Sequence, residues 1–275
     1  MRWLLVVVLG LPAFAMDQNP SPMVEHTREH PRLKESHPEG RRHKLSLGTL
    51  FVPEDITTRE KAPLLVFMHG GAWIPEVAAT EHGMAALVIQ SKSGYSAPFA
   101  KPDAFPALIR EAEAAAKMTW SEITLGGWSA GCHGIREITK SPDAVALVGR
   151  FLFIDGIHTS YAEGKPGPLE SKIDTATLAP IVSLCRLALQ GQKSVLITHS
   201  EIFPGTFAST TETADWLLRE LKVKRQPVLR WGPMKTQILS EARQGRLELI
   251  GLAGNSAPDH VDQLYALGEW LKTTH

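Results

Sequence analysis

The chain has 275 residues, 43% hydrophobic and 21% charged, and its 29 basic and 29 acidic side chains cancel to a formal net charge of zero. That composition supports a substantial buried core, which excludes a largely disordered chain. It also lacks the basic excess of a duplex nucleic-acid binder. The short basic run Arg41, Arg42, His43, Lys44 has Glu35 and Glu39 nearby and reads as a solvated surface leading into the first strand.

Met1-Arg2-Trp3 precedes the apolar run Leu4–Gly10, and Leu11-Pro12-Ala13-Phe14-Ala15 follows it. A basic end, a short apolar stretch and an Ala-x-Ala site form the pattern of a secretory signal peptide, with cleavage expected after Ala15. The run is too short to span a bilayer, and no later segment reaches about eighteen consecutive apolar residues. The expectation is a periplasmic or secreted protein with no stable membrane span. Export permits a disulfide between Cys132 and Cys185 without requiring one, and two separate buried thiols account for them equally well.

Residues 16–42 are rich in Pro, Ser, Glu, His and Arg and read as an irregular segment; one domain is expected over 43–275. Residues 43–53 alternate as a strand does. Leu64–Met68 is a continuous apolar run ending at His69-Gly70-Gly71, the pattern of a buried strand and a glycine turn. Residues 85–90 predict a strand and 104–118 an Ala- and Glu-rich helix. Ile123–Gly126 predicts a strand, with a helix from Ser129 onward. Strands are predicted at 151–154, 195–198 and 246–252, and helices at 177–190, 211–223 and 259–272. Apolar strands alternating with helices predict an α/β fold, a mostly parallel central sheet with helices on both faces. Ligands of such sheets sit beyond the carboxyl ends of the strands. His69, Ser129, Asp155, Glu201 and His260 all fall at or soon after such ends.

The sequence Gly127-Trp128-Ser129-Ala130-Gly131 is a G-x-S-x-G motif between a predicted strand and a predicted helix. A chain turning sharply there leaves the serine strained and exposed, and bulky residues two positions to either side would clash. The following helix start offers N–H groups to developing negative charge. Together with His69-Gly70-Gly71-Ala72-Trp73, this arrangement resembles the α/β-hydrolase superfamily, especially its esterases and lipases, over roughly residues 45 to 275. The resemblance implies Ser129 as nucleophile and an oxyanion hole of backbone N–H groups at Gly71 or Ala72 and at Ala130. The family's fuller motif has a further glycine where this chain has Ala72. One such donor is worth about 3 kcal/mol in the transition state. The family order of nucleophile, acid, histidine implies His260 as base. The acid is Asp155 or, alternatively, Glu201, with Asp259 less well placed beside the histidine.

Aromatic and imidazole side chains near the strand ends (Trp73, Trp128, Tyr95, Phe99, His158, Phe203, Phe207) are candidates for the pocket wall. No metal is expected, since neither H-E-x-x-H nor a close Cys/His pattern occurs among the 11 histidines. No cofactor is implied, since G-x-G-x-x-G and G-x-x-x-x-G-K-[ST] are absent. The expected activity is hydrolysis of a small-molecule or polymeric carboxylic ester through an acyl-enzyme. An exported peptidase, amidase or polyester depolymerase with the same triad stays open, as does a non-catalytic binding protein on this scaffold.

Overall fold

A computed structural model describes residues 30, 31, 33–167 and 171–272. The proposed signal peptide lies outside them. Ten strands form one sheet: β1 (Gly40–Lys44), β2 (Thr49–Pro53), β3 (Lys61–Met68), β4 (Ala85–Ile89), β5 (Thr119–Trp128), β6 (Arg150–Ile154), β7 (Ser194–His199), β8 (Gln226–Trp231), β9 (Gln237–Gln244) and β10 (Leu247–Leu252). The helices are α1 (Trp73–Glu81), α2 (Ala104–Ala116), α3 (Cys132–Ile138), α4 (Pro142–Leu147), α5 (Ala179–Leu189), α6 (Thr210–Leu221), α7 (Ala257–Tyr265) and α8 (Leu267–Lys272).

The spatial order is β1-β2-β4-β3-β5-β6-β7-β10-β9-β8. From β4 through β3, β5, β6 and β7 to β10 every neighbouring pair is parallel. The edges, β1-β2-β4 on one side and β10-β9-β8 on the other, are antiparallel. Side chains alternate across β3: Leu64, Val66 and Met68 enter one core, Leu65 and Phe67 the other. This period-two alternation is why both faces of the central strands are apolar, and each is covered by helices. Leu64, Leu65, Val66 and Phe67 have no exposed surface, and burying each such side chain stabilises the fold by about 1.5–3 kcal/mol. Trp270 and Leu271 of α8 join the same core as Phe67, whereas Phe105 and Leu108 of α2 join that of Val66.

Three stretches depart from the expected elements. Residues 43–53 are not one strand: the chain reverses after β1, where Leu45 N–H donates to the Gly48 carbonyl, so β1 and β2 form a hairpin. β1 begins at Gly40, inside the segment expected to be irregular. Within it Arg42 is no simple solvated cation, because its guanidinium pairs with buried Glu76 at 2.6 Å and lies over the Phe51 ring. Finally, β8 and β9 form an edge hairpin before β10. The exposed Leu229 and Trp231 of β8 lack the clean alternation that marks a half-buried strand. The two cysteines, left open by the sequence, are separate buried thiols, and Cys132 Sγ donates to the Gly127 carbonyl at 3.1 Å. Among the described residues no helix is long and apolar enough to cross a membrane.

Candidate active site

β5 delivers Ser129 to the carboxyl edge of the sheet, and the chain turns there into a short 3-10 segment and α3. Ser129 has φ +52°, a left-handed conformation costly for a residue with a Cβ. The crowding around this turn explains its glycines. A Cβ on Gly127 would stand 2.8 Å from the Gly131 carbonyl carbon, and one on Gly131 would stand 2.7 Å from that of Met68. Asp155, immediately after β6, also has a positive φ, +42°, as does His69 after β3, +75°. Three adjacent parallel strands thus end in a strained non-glycine residue at the same edge, and such strain concentrates at functional sites.

Asp155 is 1% exposed. Its Oδ2 lies 2.7 Å from His260 Nδ1 and accepts from Ser200 Oγ at 2.8 Å; its Oδ1 accepts from Thr210 Oγ1 at 2.7 Å and from Ser200 N–H at 3.0 Å. Burial alone would raise its pKa. The hydrogen bond and charge of His260, with the Thr210 and Ser200 hydroxyls, outweigh that and hold the carboxyl below its ordinary value. Asp155 is therefore an ionised acceptor, and the Nδ1 of His260 is the donor. Ser129, Asp155 and His260 line one cavity of about 540 Å³, together with His158, Phe203 and Phe207.

This is the α/β-hydrolase fold. Setting aside the β8–β9 hairpin, the order β1-β2-β4-β3-β5-β6-β7-β10 with β2 alone reversed is its eight-stranded sheet, and a serine sits at the turn after β5. No family model matches the chain, and no curated protein matches it. Solved structures similar to it include an esterase from Pyrobaculum calidifontis (12% identity, 85% of this chain and 82% of that one, TM-score 0.49). An acetyl xylan esterase from Aspergillus awamori is similar too (11% identity, 80% and 93%, TM-score 0.47), as is a poly(3-hydroxybutyrate) depolymerase from Bordetella parapertussis (13%, 82% and 86%, TM-score 0.43).

The other expected site residues fall into place or out of it. Glu201 is exposed; its carboxylate takes the Gly254 N–H at 3.3 Å, and it does not bond His260. Asp259 closes the N-terminal cap of α7, accepting from Ser256 N–H and Oγ. His158 and Phe203 line the cavity of Ser129. Trp73 does not: it packs on Tyr265 with ring centroids 6.0 Å apart and borders a different cavity. Tyr95 and Phe99 are core residues, each 4% exposed, and the Tyr95 hydroxyl lies 3.0 Å from His69 Nδ1. Trp128 stands beside His260 instead of facing the cavity. Its Nε1 donates to the His260 carbonyl at 3.0 Å, and its ring lies between His260 (centroids 4.4 Å apart) and His69 (5.2 Å). Burial, with a lesser contribution from the nearby His260, lowers the pKa of His69. Gly71 and Ala72 sit at the turn into α1, where Gly71 C=O accepts from Ile74 N–H at 3.1 Å. That turn follows Gly70 at φ +94°, where a Cβ would also meet Leu264 Cδ2 at 2.6 Å. Ala130 borders a second cavity beside Ser129.

Ser200 and Thr210 carried no distinctive pattern. Only the position of Ser200 at the end of β7 set it apart, and Thr210 becomes a partner of Asp155 because α6 starts there. His30, Asp259 and Asp262 bring possible ligand atoms within 4.8 Å of one another. The His30 Nδ1 in that group is already 2.8 Å from Asp262 Oδ2, an ion-pair geometry behind α7.

Proposed function

We propose that this chain is a serine hydrolase that cleaves carboxylic esters through an acyl-enzyme. The supporting observation is the pairing of buried Asp155 with part-buried His260, 2.7 Å apart, opening on the cavity that also holds Ser129. Asp155 fixes the imidazole tautomer with the proton on Nδ1, so Nε2 is the nitrogen that takes the Ser129 proton. The Ser129 oxygen attacks the ester carbonyl. The tetrahedral oxyanion is met by the N–H of Ala130 and that of Gly71 or Ala72. His260 returns the proton to the departing alcohol, then activates a water that releases the acid and restores Ser129. The imidazolium formed on the way is stabilised by the ionised Asp155.

A serine-reactive phosphonate tests this reading. It is expected to label Ser129 and to leave Ser129→Ala unlabelled and inactive on short acyl nitrophenyl esters. Full activity in Ser129→Ala, or a label placed elsewhere, would overturn it. The same reading takes residues 1–15 as an export signal, on their sequence pattern. Exported protein is then expected to begin at Met16, read by N-terminal sequencing; an exported chain retaining Met1 would contradict it.

A further inference from the structure

Ser129 stands where two cavities meet. The larger one carries Ile202, Phe203 and Pro204 and is mostly apolar. The second, about 300 Å³, has a lining that is also largely apolar but carries a cation: Ala130, His133, Arg136, His158, Ser160 and Thr177 line it beside Ser129. Arg136 sits on α3, seven residues beyond the serine. Its Nη1 donates to the His158 carbonyl at 3.0 Å, and among the described residues this is its only side-chain hydrogen bond. Among the described residues it makes no ion pair. The nearby acids are engaged elsewhere: Glu137 binds Lys140 at 2.8 Å, and Asp174 Oδ1 accepts from Ala176 N–H at 3.1 Å.

The remaining titratable groups on this wall are imidazoles. Burial, then the charge of Arg136, lowers His133 to about 4. Burial is likewise the largest influence on His158 and lowers it, although Asp155 opposes the shift. Both are neutral near pH 7, so the guanidinium is the cavity's one cation among the described residues. It is itself half-buried and partly desolvated. A guanidinium in that setting, with donors beyond the one bonded to the His158 carbonyl, matches a carboxylate in charge and in geometry.

We propose that this second cavity receives a carboxylate of the substrate, so that the esters cleaved at Ser129 carry an anionic carboxylate on one side of the scissile bond. The inference rests on the reading of Ser129 as an ester-cleaving nucleophile and names the substrate class for it. A half-ester of a dicarboxylic acid places the charge on the acyl side; an ester of a hydroxy acid places it on the alcohol side.

Two matched pairs separate these cases: nitrophenyl hydrogen glutarate against nitrophenyl pentanoate, and 4-acetoxybutyrate against butyl acetate. One pair is expected to show kcat/KM at least about tenfold higher for the anionic member, the scale of one charge-assisted hydrogen bond. The ratio is expected to fall toward one in Arg136→Gln and to be partly kept in Arg136→Lys, which retains the charge but loses the fork. A ratio of one for both pairs in the unaltered protein, or a ratio that Arg136→Gln does not move, would overturn the proposal.

Glutarate binding, followed by calorimetry on Ser129→Ala, needs no turnover and is expected to vanish when Arg136→Gln is added. If glutarate binds through Arg136 while no ester is cleaved, the ester reading fails and the anion site stands. If esters are cleaved without preference and glutarate does not bind, the anion site fails and the ester reading stands.

Discussion

Gly156 lies directly behind Ser129: a Cβ at that glycine would come within 2.8 Å of the Ser129 nitrogen, and it would also run into the Ser129 carbonyl oxygen and Cys132 Sγ. The end of β6 and the Ser129 turn after β5 are therefore in backbone contact, and nothing larger than hydrogen fits between them. Gly156→Ala is expected to push the two strand ends apart. Overpacking of this kind costs about 1–3 kcal/mol. In a chain of this size that lowers the melting temperature by roughly 2–4 °C per kcal/mol. The rate of phosphonate labelling at Ser129 is expected to drop with it, because the strained serine loses its support. A variant that melts and labels like the unaltered protein would show that the turn relaxes freely.

The two carboxylates considered for the acid have opposite surroundings. Asp155 is buried, takes three side-chain donors besides one backbone N–H, and touches His260, whereas Glu201 is exposed and bonds only backbone. Asp155→Asn presents an amide to Nδ1 and favours the wrong imidazole tautomer, for which losses in kcat of roughly 10⁴-fold are typical. Glu201→Gln is expected to stay within a few-fold of the unaltered protein, since its amide oxygen still accepts the long bond from the Gly254 N–H and it does not touch His260. Steady-state turnover of the two folded variants decides it, and equal activity would remove Asp155 from the mechanism.

The sequence made some of this site legible and hid the rest. Ser129 could be read because the turn imposes glycine at 127 and 131, a local steric demand visible in one strand–turn–helix segment. Asp155 and His260 were readable as residues at strand ends, but their pairing spans 105 positions and depends on which strands are neighbours. The partners of Asp155 illustrate the limit. Ser200 and Thr210 converge on it only because β7 lies beside β6 and α6 returns over the same edge. Trp73 and Tyr95 follow strand ends in the sequence and are candidates for the pocket wall, yet helix and core packing turn them away from the cavity. Sequence position identifies an edge, whereas rotamer and packing decide which way a ring faces. The hairpin of β8 and β9 was hidden for a related reason, its outer strand having little buried surface to pattern it.

Acid is expected to destabilise the fold in two windows. His199 is buried, and burial, then the charge of Arg225, lowers its pKa from 6.5 to about 4. A histidine depressed in the folded state binds fewer protons there than in the unfolded chain between those values. Its contribution to stability is therefore complete above 6.5 and lost as pH falls to about 4. His133 has the same sign and the same window. Asp155 acts lower: its folded value is below the ordinary 3.8, so its stabilisation is present above 3.8 and is lost as pH falls from there through the folded value. Urea midpoints across this range are expected to decline in both windows, and His199→Gln is expected to flatten the upper one. A midpoint independent of pH between 6.5 and 4 would contradict the burial of neutral imidazoles.

Trp128 connects the strand that ends at Ser129 to His260 directly. Its indole N–H holds the His260 carbonyl at 3.0 Å while its ring lies against the imidazole. The residue before the serine thus holds both the backbone and the ring plane of His260, the proposed base. Trp128→Phe keeps an aromatic surface but removes the donor. The net worth of such a hydrogen bond is about 0.5–1.5 kcal/mol, so kcat is expected to fall by up to about tenfold with the melting temperature little changed. Trp128→Ala also removes the surface between His69 and His260, leaving the imidazole free to swing, and a larger fall in kcat is expected. If both variants lose stability in proportion to side-chain volume while turnover per folded molecule holds steady, Trp128 is packing alone. If Trp128→Phe slows turnover at unchanged stability, the indole N–H positions the base.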